Sequence, residues 1–577
     1  MKPKYSCRPF LPTLILVGSL VASFTQAADE IWNGLDGNPE WSSVGNWVNN
    51  LAAPGSTSGT TSADIATFDS AISNTWGDSL ENPIVTTPNL NLSGIRFTAE
   101  AGSYFIGEKS GSPMLLTSGG SIQILSTLTA TGVTETVNAP LIIQGASGTY
   151  TLANNSTDSL SVLNIGGSIV GDGAGASLLT LAGTNTGINA ISGVIGNGAA
   201  TTLGITKTGD GSWNLGGVNT HTGVTTVSAG KLTSKNLVSW KSNVAIASGA
   251  TFNWDVTNPQ QVLDTASNYT VTGGGLLLVS GGFKMNYGNN NPVIQFNLSA
   301  GGQIDIQGAG TILEFGYTHN SLGGNLGSLN IAVGASYYSS DAFASVDALT
   351  GAGRIGNAYN AGVTMDLGVS NTISSAAYGV TANTAEFSGV ITGPDSYNNV
   401  PNGVLNIRKN GTGTQIFSGA NTYTGTTTVT GGVLQIGTGG TSGSLGTGNT
   451  ILTGSGNLTI KRSDAYSYSG VISGSGSFTH AGTGTTTLVG SNTYTGPTTI
   501  SAGSVKLQPP SAAPSAPVAG FVRRFDASTI TGTNGASIPT WTNGGIGSNA
   551  TVPAGNTAPT LISNAGTGTG HSRQVSA

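Results

Sequence analysis

Charge is scarce in this chain of 577 residues: Asp, Glu, Lys and Arg make up 8% of it, against about 25% in an ordinary soluble domain. Gly, at 90 residues, and Ser, Thr and Asn fill the space. Disordered chains pair low hydrophobicity with high net charge and few β-branched residues. Abundant short β-branched runs exclude disorder for most of this sequence. Cysteine is nearly absent. Cys7, the single one, precedes an apolar stretch at 11–24 and is not placed like a lipoprotein cysteine. Lys2, Lys4 and Arg8 come before that stretch and Thr25-Gln26-Ala27 after it, the order of a signal peptide spanning 1–27. Cleavage between Ala27 and Ala28 is expected. It would leave no cysteine, which excludes disulfides and thiolate chemistry. It would also leave 16 basic residues against 25 acidic ones, a net charge of −9. There is then no basic patch for nucleic acid. No later apolar run nears 20 residues, so no membrane-spanning helix is expected.

Helical patterning is also missing. No window sustains a 3.6-residue apolar period between caps. Instead a single unit recurs. Its clearest copy reads Lys409-Asn-Gly411-Thr-Gly413-Thr414, then Ser418-Gly-Ala-Asn421-Thr-Tyr423-Thr-Gly425-Thr-Thr427-Thr428-Val429-Thr-Gly-Gly432-Val-Leu434. A second runs through His480, Gly482, Gly484, Asn492, Tyr494, Gly496, Thr498-Thr499-Ile500 and Gly503. A third, upstream, runs through Lys207, Gly209, Gly211, Asn219, His221, Gly223, Thr225-Thr226-Val227 and Gly230. The second Gly precedes the Asn by 8 residues in every copy, and the Asn precedes the last Gly by 11. Each copy follows a Ser-Gly-Val-Ile tag (192–195, 388–391, 469–472) at a variable distance. Rigid spacing beside variable spacing marks one structural unit with insertions at its margin. Thr-Thr-Val and Thr-Thr-Ile suit pleated strands, and the glycines and Asn-Thr steps punctuate them as turns. Such a unit cannot bury its own face, but stacked on its neighbours it can. The expected fold is an all-β solenoid, with Thr427–Val429 and the matching 498–500 segment as like-oriented strands on one face. Val429 and Ile500 should point inward and Thr428 and Thr499 outward.

The Asn-Thr-Tyr-Thr-Gly-x-Thr-Thr-[Val/Ile]-x-x-Gly core resembles the autotransporter-associated β-strand repeat of bacterial secreted passenger proteins. The resemblance is specific at 403–437 and 478–508 and weaker at 203–233, where His221 replaces the Tyr. It implies a right-handed parallel β-helix, a bacterial secreted or cell-surface location, and repeat positions that are structural: Gly223, Gly230, Asn421, Tyr423, Gly425, Gly432, Asn492, Tyr494, Gly496 and Gly503.

The expected organisation is a signal peptide (1–27), an N-terminal cap region (28–85) and a solenoid (86–508). The repeats lie at about 192–233, 388–437 and 469–508. At ~20–25 residues per coil the solenoid holds roughly 17 to 21 coils, a rod of roughly 80–100 Å. Trp32, Trp41, Trp47, Trp76 and Phe68 crowd the first segment; they are expected to cover the open end of the ladder, with a glycan-stacking platform as the rival reading. Residues 509–520 are a proline-rich linker. Residues 521–577, with Phe525, Asp526 and Trp541, resemble the incomplete start of a laminin-G-like, concanavalin-like jelly roll.

No constellation for catalysis or metal binding emerges. His221, His319, His480 and His571 are widely spaced, and His221 and His480 read as exposed variants of positions that hold Tyr and Lys in sister copies. Gly171-Asp172-Gly173 is one fragment of a calcium-binding glycine-rich repeat. Acids at 255, 264, 305, 314, 341, 347, 366, 386 and 395 are scattered. Pairs such as 341 and 366 lie one coil apart, leaving an opening for a polysaccharide lyase or hydrolase. The expectation is therefore a non-enzymatic, cofactor-free structural or adhesive module that meets extracellular glycans or cell-surface components. An extracellular carbohydrate-binding protein is the alternative. At Gly425 and Gly496 a left-handed turn or a close backbone approach is expected.

Overall fold

The computed structural model describes residues 29–508 apart from 51, 60, 73–75, 146, 256–268, 283, 286–293, 315–321, 340–342, 358–361, 369–382 and 395–402. Beyond Gln508 it describes only two short antiparallel pairs, Thr540–Trp541 with Ala550–Thr551 and Thr560–Ile562 with Gln574–Ser576. The signal peptide, the linker and most of the laminin-G-like segment lie outside the described residues.

Among the described residues there is no α-helix, only one 3-10 turn at Val44–Asn46. The strands from Asp29 to Leu507 stack in parallel on three faces. The chain crosses them in a fixed order, first, second, third, then first again one rung higher. The second face is the most continuous. It is a ladder of 17 strands from Phe105–Ile106 to Thr498–Ile500, each hydrogen-bonded to the rung below and above. Its two end strands do not pair with each other, so the ladder is an open ribbon. At a strand spacing of ~4.8 Å it is roughly 80 Å long. The first face runs from Asp29–Ile31 to Ile294–Leu298 and resumes from Phe343–Val346 to Ile472–Gly474, with a parallel bridge between Leu322 and Ala344 in the interval. The third face is patchier, formed early by Leu141–Gln144, Ile169–Asp172 and Ile195–Gly196, later by Lys284–Met285 to Val390–Pro394, and last by Ala465–Tyr468 to Ser504–Leu507. The protein is a β-solenoid.

Strand alternation builds the core. In Thr427–Val429 the outer residues are buried and Thr428 is half-exposed, which leaves Val429 in the interior. Ile500 departs from expectation and is only half-buried, because Thr498–Ile500 is the last rung of its face. A larger departure concerns placement. The two Thr-Thr-x strands are parallel but do not share a face. Thr427–Val429 stacks on Val404–Lys409 in the first face, whereas Thr498–Ile500 stacks on Ser477–His480 in the second. Three structurally similar faces let one motif begin at any corner, and the residues between these two copies do not make a whole number of coils. Coil length itself varies, with register partners 19 residues apart between Phe417 and Ile436 and 36 apart between Gly351 and Phe387.

Three of the four tryptophans of the first segment are interior, and Trp76 is half-buried. Trp32, Trp41 and Trp47 are buried and pack edge-on, with ring centroids of Trp32 and Trp47 5.1 Å apart and of Trp41 and Trp47 5.0 Å apart. Phe68 joins them and stacks on Phe97. The Trp41 and Trp47 indole N–H groups donate to Pro54 O and Trp41 O, both at 2.9 Å. These rings present no face on which a sugar could stack. The terminal strand Asp29–Ile31 is covered in turn by 44–48, where Val48 N–H donates to Ile31 O and Trp32 bridges Trp47.

One of the longer coils carries a device of its own. Gln415 lies in an inward column that elsewhere holds Leu329, Leu349, Leu434 and Phe478. Its amide reaches past Ala385 to the rung below, where Nε2 donates to Leu349 O at 2.9 Å and Oε1 accepts Leu349 N–H at 3.1 Å. Here the intervening strand pairs only through Gly351 and Phe387; the side chain supplies the missing rung. Gln415→Leu should leave both Leu349 backbone groups unpaired and lower stability by roughly 1–3 kcal/mol, read as a shift in the thermal unfolding midpoint with circular dichroism otherwise unchanged.

Candidate functional site: the stacked turns of the repeat

The fixed spacing of the repeat is coil geometry. Gly211 and Gly230, Gly413 and Gly432, and Gly484 and Gly503 lie 19 residues apart and stack on each other across one rung. A β-carbon on Gly230 would stand 2.5 Å from Gly211 O, on Gly432 2.3 Å from Gly413 O, and on Gly503 2.2 Å from Gly484 O. All three upper glycines are also left-handed, with φ of 64°, 58° and 63°, a region that costs a side chain free energy. Gly223, Gly425 and Gly496 are not left-handed. Gly425 lies where a β-carbon would be 2.1 Å from Leu405 O, and Gly496 where it would be 1.9 Å from Gly476 O. For Gly223 the nearest atom would be Gly204 N at 2.5 Å. Close approach of backbone to backbone, and not turn chirality, describes these positions.

The Ser-Gly-Val-Ile tag is the rung beneath the repeat's Asn. Asn219, Asn421 and Asn492 each accept with Oδ1 the N–H of the tag's last residue: Ile195 at 2.9 Å, Ile391 at 2.9 Å and Ile472 at 2.7 Å. Two residues before each Asn, Gly217, Gly419 and Gly490 stack on the tag glycines. A β-carbon there would come within 2.3, 1.7 and 2.5 Å of the carbonyl oxygens of Gly193, Gly389 and Gly470. The tag and the repeat are one unit separated by a loop.

Beyond the Asn, an aromatic ring turns inward and bonds the threonine four residues on. Tyr423 and Tyr494 hydroxyls lie 2.7 Å from Thr427 and Thr498 Oγ1, and His221 Nε2 lies 2.9 Å from Thr225 Oγ1. His221 is buried, edge-on to Trp240 at 4.9 Å, and burial depresses its pKa to about 4. His480 is buried as well, with Nε2 3.1 Å from Gly484 O and Nδ1 3.1 Å from Thr486 Oγ1; burial pulls its pKa down too. The expectation that both histidines are exposed is corrected. Repeat variation at these positions is variation in the core, constrained by the hydrogen bonds made there.

At the place of His480, the sister copies carry a buried ammonium inside the Gly-x-Gly turn. Lys207 Nζ donates to Thr208 O at 2.8 Å, Gly209 O at 2.6 Å and Ala229 O at 3.2 Å. Lys409 Nζ donates to Asn410 O, and to Gly411 O and Gly431 O at 3.2 Å each. Both side chains are fully buried, and burial lowers each pKa to about 8. The sequence signal was present, a Lys two residues before Gly-x-Gly in two copies, but a lysine is almost never buried without such an acceptor cage.

The scattered acids do not converge. Asp255 lies 3.8 Å from Lys235. Asp305 accepts from Asn330 Nδ2 at 2.7 Å and Gln307 Nε2 at 2.5 Å. Asp366 pairs with Arg408, whose Nε donates to it at 2.6 Å, and its neighbours in the ladder are Ser345 and Arg408. Glu386 accepts from Ser418 Oγ. Asp172 of the glycine-rich fragment stands beside Gln144. Asp264, Asp341, Asp395, His319 and His571 lie outside the described residues. Among the described residues no three His, Cys, Asp or Glu side chains gather as metal ligands.

One comparison with known proteins falls on the same repeats. The Passenger-associated-transport-repeat family matches residues 205–233, 407–436 and 478–507. A curated relative, the protein named Adhesin BmaC autotransporter of Brucella suis biovar 1 (strain 1330), is 35% identical over 175 residues, which is 30% of this chain and 4% of that protein. The chain thus aligns with only a small part of this relative's length. No solved structure matches.

Two outcomes follow from this geometry. Gly425→Val puts a side chain into Leu405 O, which can be relieved only by parting two coils. It should cost at least the ~1–3 kcal/mol typical of overpacking, and an unchanged unfolding midpoint would show that the backbones do not approach there. His221 sets a pH dependence. Its folded pKa lies below the ordinary value of 6.5, so between pH 6.5 and 4 the unfolded chain binds a proton that the folded chain does not. Stability present above pH 6.5 should be lost by roughly 3 kcal/mol as pH falls to 4. Denaturant titrations across that range should show the slope, and His221→Gln should flatten His221's part of it.

Proposed function

We propose that this chain is the shaft of a bacterial surface-exposed or secreted adhesive protein that carries out no catalysis. One observation carries the reading: the three segments matched by the passenger repeat family all lie along a single parallel ladder, and their distinctive residues are spent on holding that ladder together. Asn, Lys and Gly of the repeat bond or abut the adjacent coil, and Tyr braces the threonine four residues on within its own coil. A repeat invested in internal stacking serves length and rigidity. The relative named as an adhesin supports an adhesive role for such a shaft, and extracellular glycans or cell-surface components are the partners proposed for it.

The test uses the mature chain coupled to beads and offered to cultured epithelial cells and to extracellular matrix. Attachment above that of uncoated beads is expected, and the Gly425→Val protein should lose it at temperatures where its solenoid has melted. Attachment no better than that of uncoated beads would sink the adhesive reading. Depolymerisation of pectin-like or laminarin-like polymers by the same preparation would replace it with the enzymatic one.

A further inference from the structure

Alternation along the first face leaves one column of hydroxyls outside. Ladder register aligns Ser121 with Thr151, Thr151 with Thr180, Thr180 with Thr206, and Thr206 with Thr226. Each threonine is half-exposed, and its strand neighbours, such as Tyr150 and Leu152, Leu179 and Leu181, or Thr225 and Val227, are buried. Successive hydroxyls are therefore about 4.8 Å apart along the rod. The column on one side aligns Thr149, Leu178 and Gly204, and on the other Gln123, Ala153 and Ala182. No charged side chain stands in these three columns, although the mature sequence is acidic overall at −9. The strip is neutral and centred on a ridge of hydroxyls, with small residues beside much of it, among which Ala153 and Gly204 are buried.

We infer that this strip is a docking surface for an extended, uncharged polysaccharide lying along the solenoid axis, with about one sugar unit to each coil. Three features favour that occupant. A linear glycan offers ring hydroxyls at nearly regular axial intervals, which match donors and acceptors repeated once per coil. The side chains of the strip carry no charge, so an anionic or cationic polymer gains nothing from them. The strip is small, roughly 20 Å by 14 Å from five rungs and three columns, or about 300 Å². That is well below the ~800 Å² per partner of a stable protein–protein interface, which disfavours a second copy of this chain but suits a polymer one chain wide. The inference rests on the adhesive reading and gives it a ligand class.

The experiment is retention of the mature protein on insoluble β-1,4-linked glucan, with polygalacturonate as the anionic control. Thr206→Lys places a long cation mid-column. Thr206→Val removes only the hydroxyl and keeps the β-branched shape, so it should fold even if the lysine variant does not. Thr428→Lys, on the first face but in a different column segment, is the matched control. Wild type and Thr428→Lys should be retained on the neutral glucan, Thr206→Val should be retained less, and Thr206→Lys should be lost, with circular dichroism and unfolding midpoints showing which variants remain folded. No retention of wild type, retention only on polygalacturonate, or equal retention of wild type and Thr206→Val would overturn the inference. Bead attachment to cells that persists unchanged in Thr206→Val would overturn it while leaving the adhesive shaft standing; loss of wild-type bead attachment would overturn both.

Discussion

The architecture depends on how closely one backbone can approach the next. A parallel ladder fixes the coil-to-coil distance at ~4.8 Å; where the chain turns a corner, carbonyl oxygens of one coil point straight into the coil above. At several repeat positions no β-carbon fits. Gly419 would meet Gly389 O at 1.7 Å and Gly496 would meet Gly476 O at 1.9 Å. These glycine columns let the strands on either side keep register. Once register is fixed, everything else follows by alternation: Val429 inside, Thr428 outside, Asn421 over the Ile391 amide.

A narrow solenoid interior cannot exclude polar groups altogether, and this one contains them by giving most of them partners. Lys207 and Lys409 each face two carbonyls of their own tight turn and one of the turn stacked on it, where buried carbonyls need a partner. Glu135 is a harsher case. It is buried, accepts Tyr104 N–H at 3.0 Å with one oxygen, and its pKa is driven well upward by loss of solvent. A carboxyl with a raised folded pKa favours the fold least at high pH, while His221 favours it least at low pH. Glu135 begins to disfavour the fold as pH rises past the ordinary carboxyl value of 4.5 and His221 as pH falls past 6.5, so between those values the two effects oppose each other.

Much of this was legible in the sequence, and the misses share a cause. Periodicity and β-branched runs pointed to an all-β solenoid, and the repeat was locatable to within a few residues of the segments at 205–233, 407–436 and 478–507. Those signals are local. Which face a strand joins is not local, because it depends on the summed length of every insertion before it. That is why the strands at Thr427–Val429 and Thr498–Ile500 were expected on one face and occupy two. Burial of His221 and His480 was missed for a related reason. A lone histidine in a polar sequence reads as surface, and only the turn carbonyl or threonine facing it reveals otherwise. Gln415 could not have been read at all, since its partner Leu349 is 66 residues away.

The change of face between copies also gives the shaft an azimuth. In the two upstream copies the Asn-Thr-Tyr or Asn-Thr-His corner follows the second face, while in the last it follows the third. An exposed residue placed at the same motif position would therefore look out in two directions around the axis. Diversification at that corner would present side chains on more than one side of the solenoid.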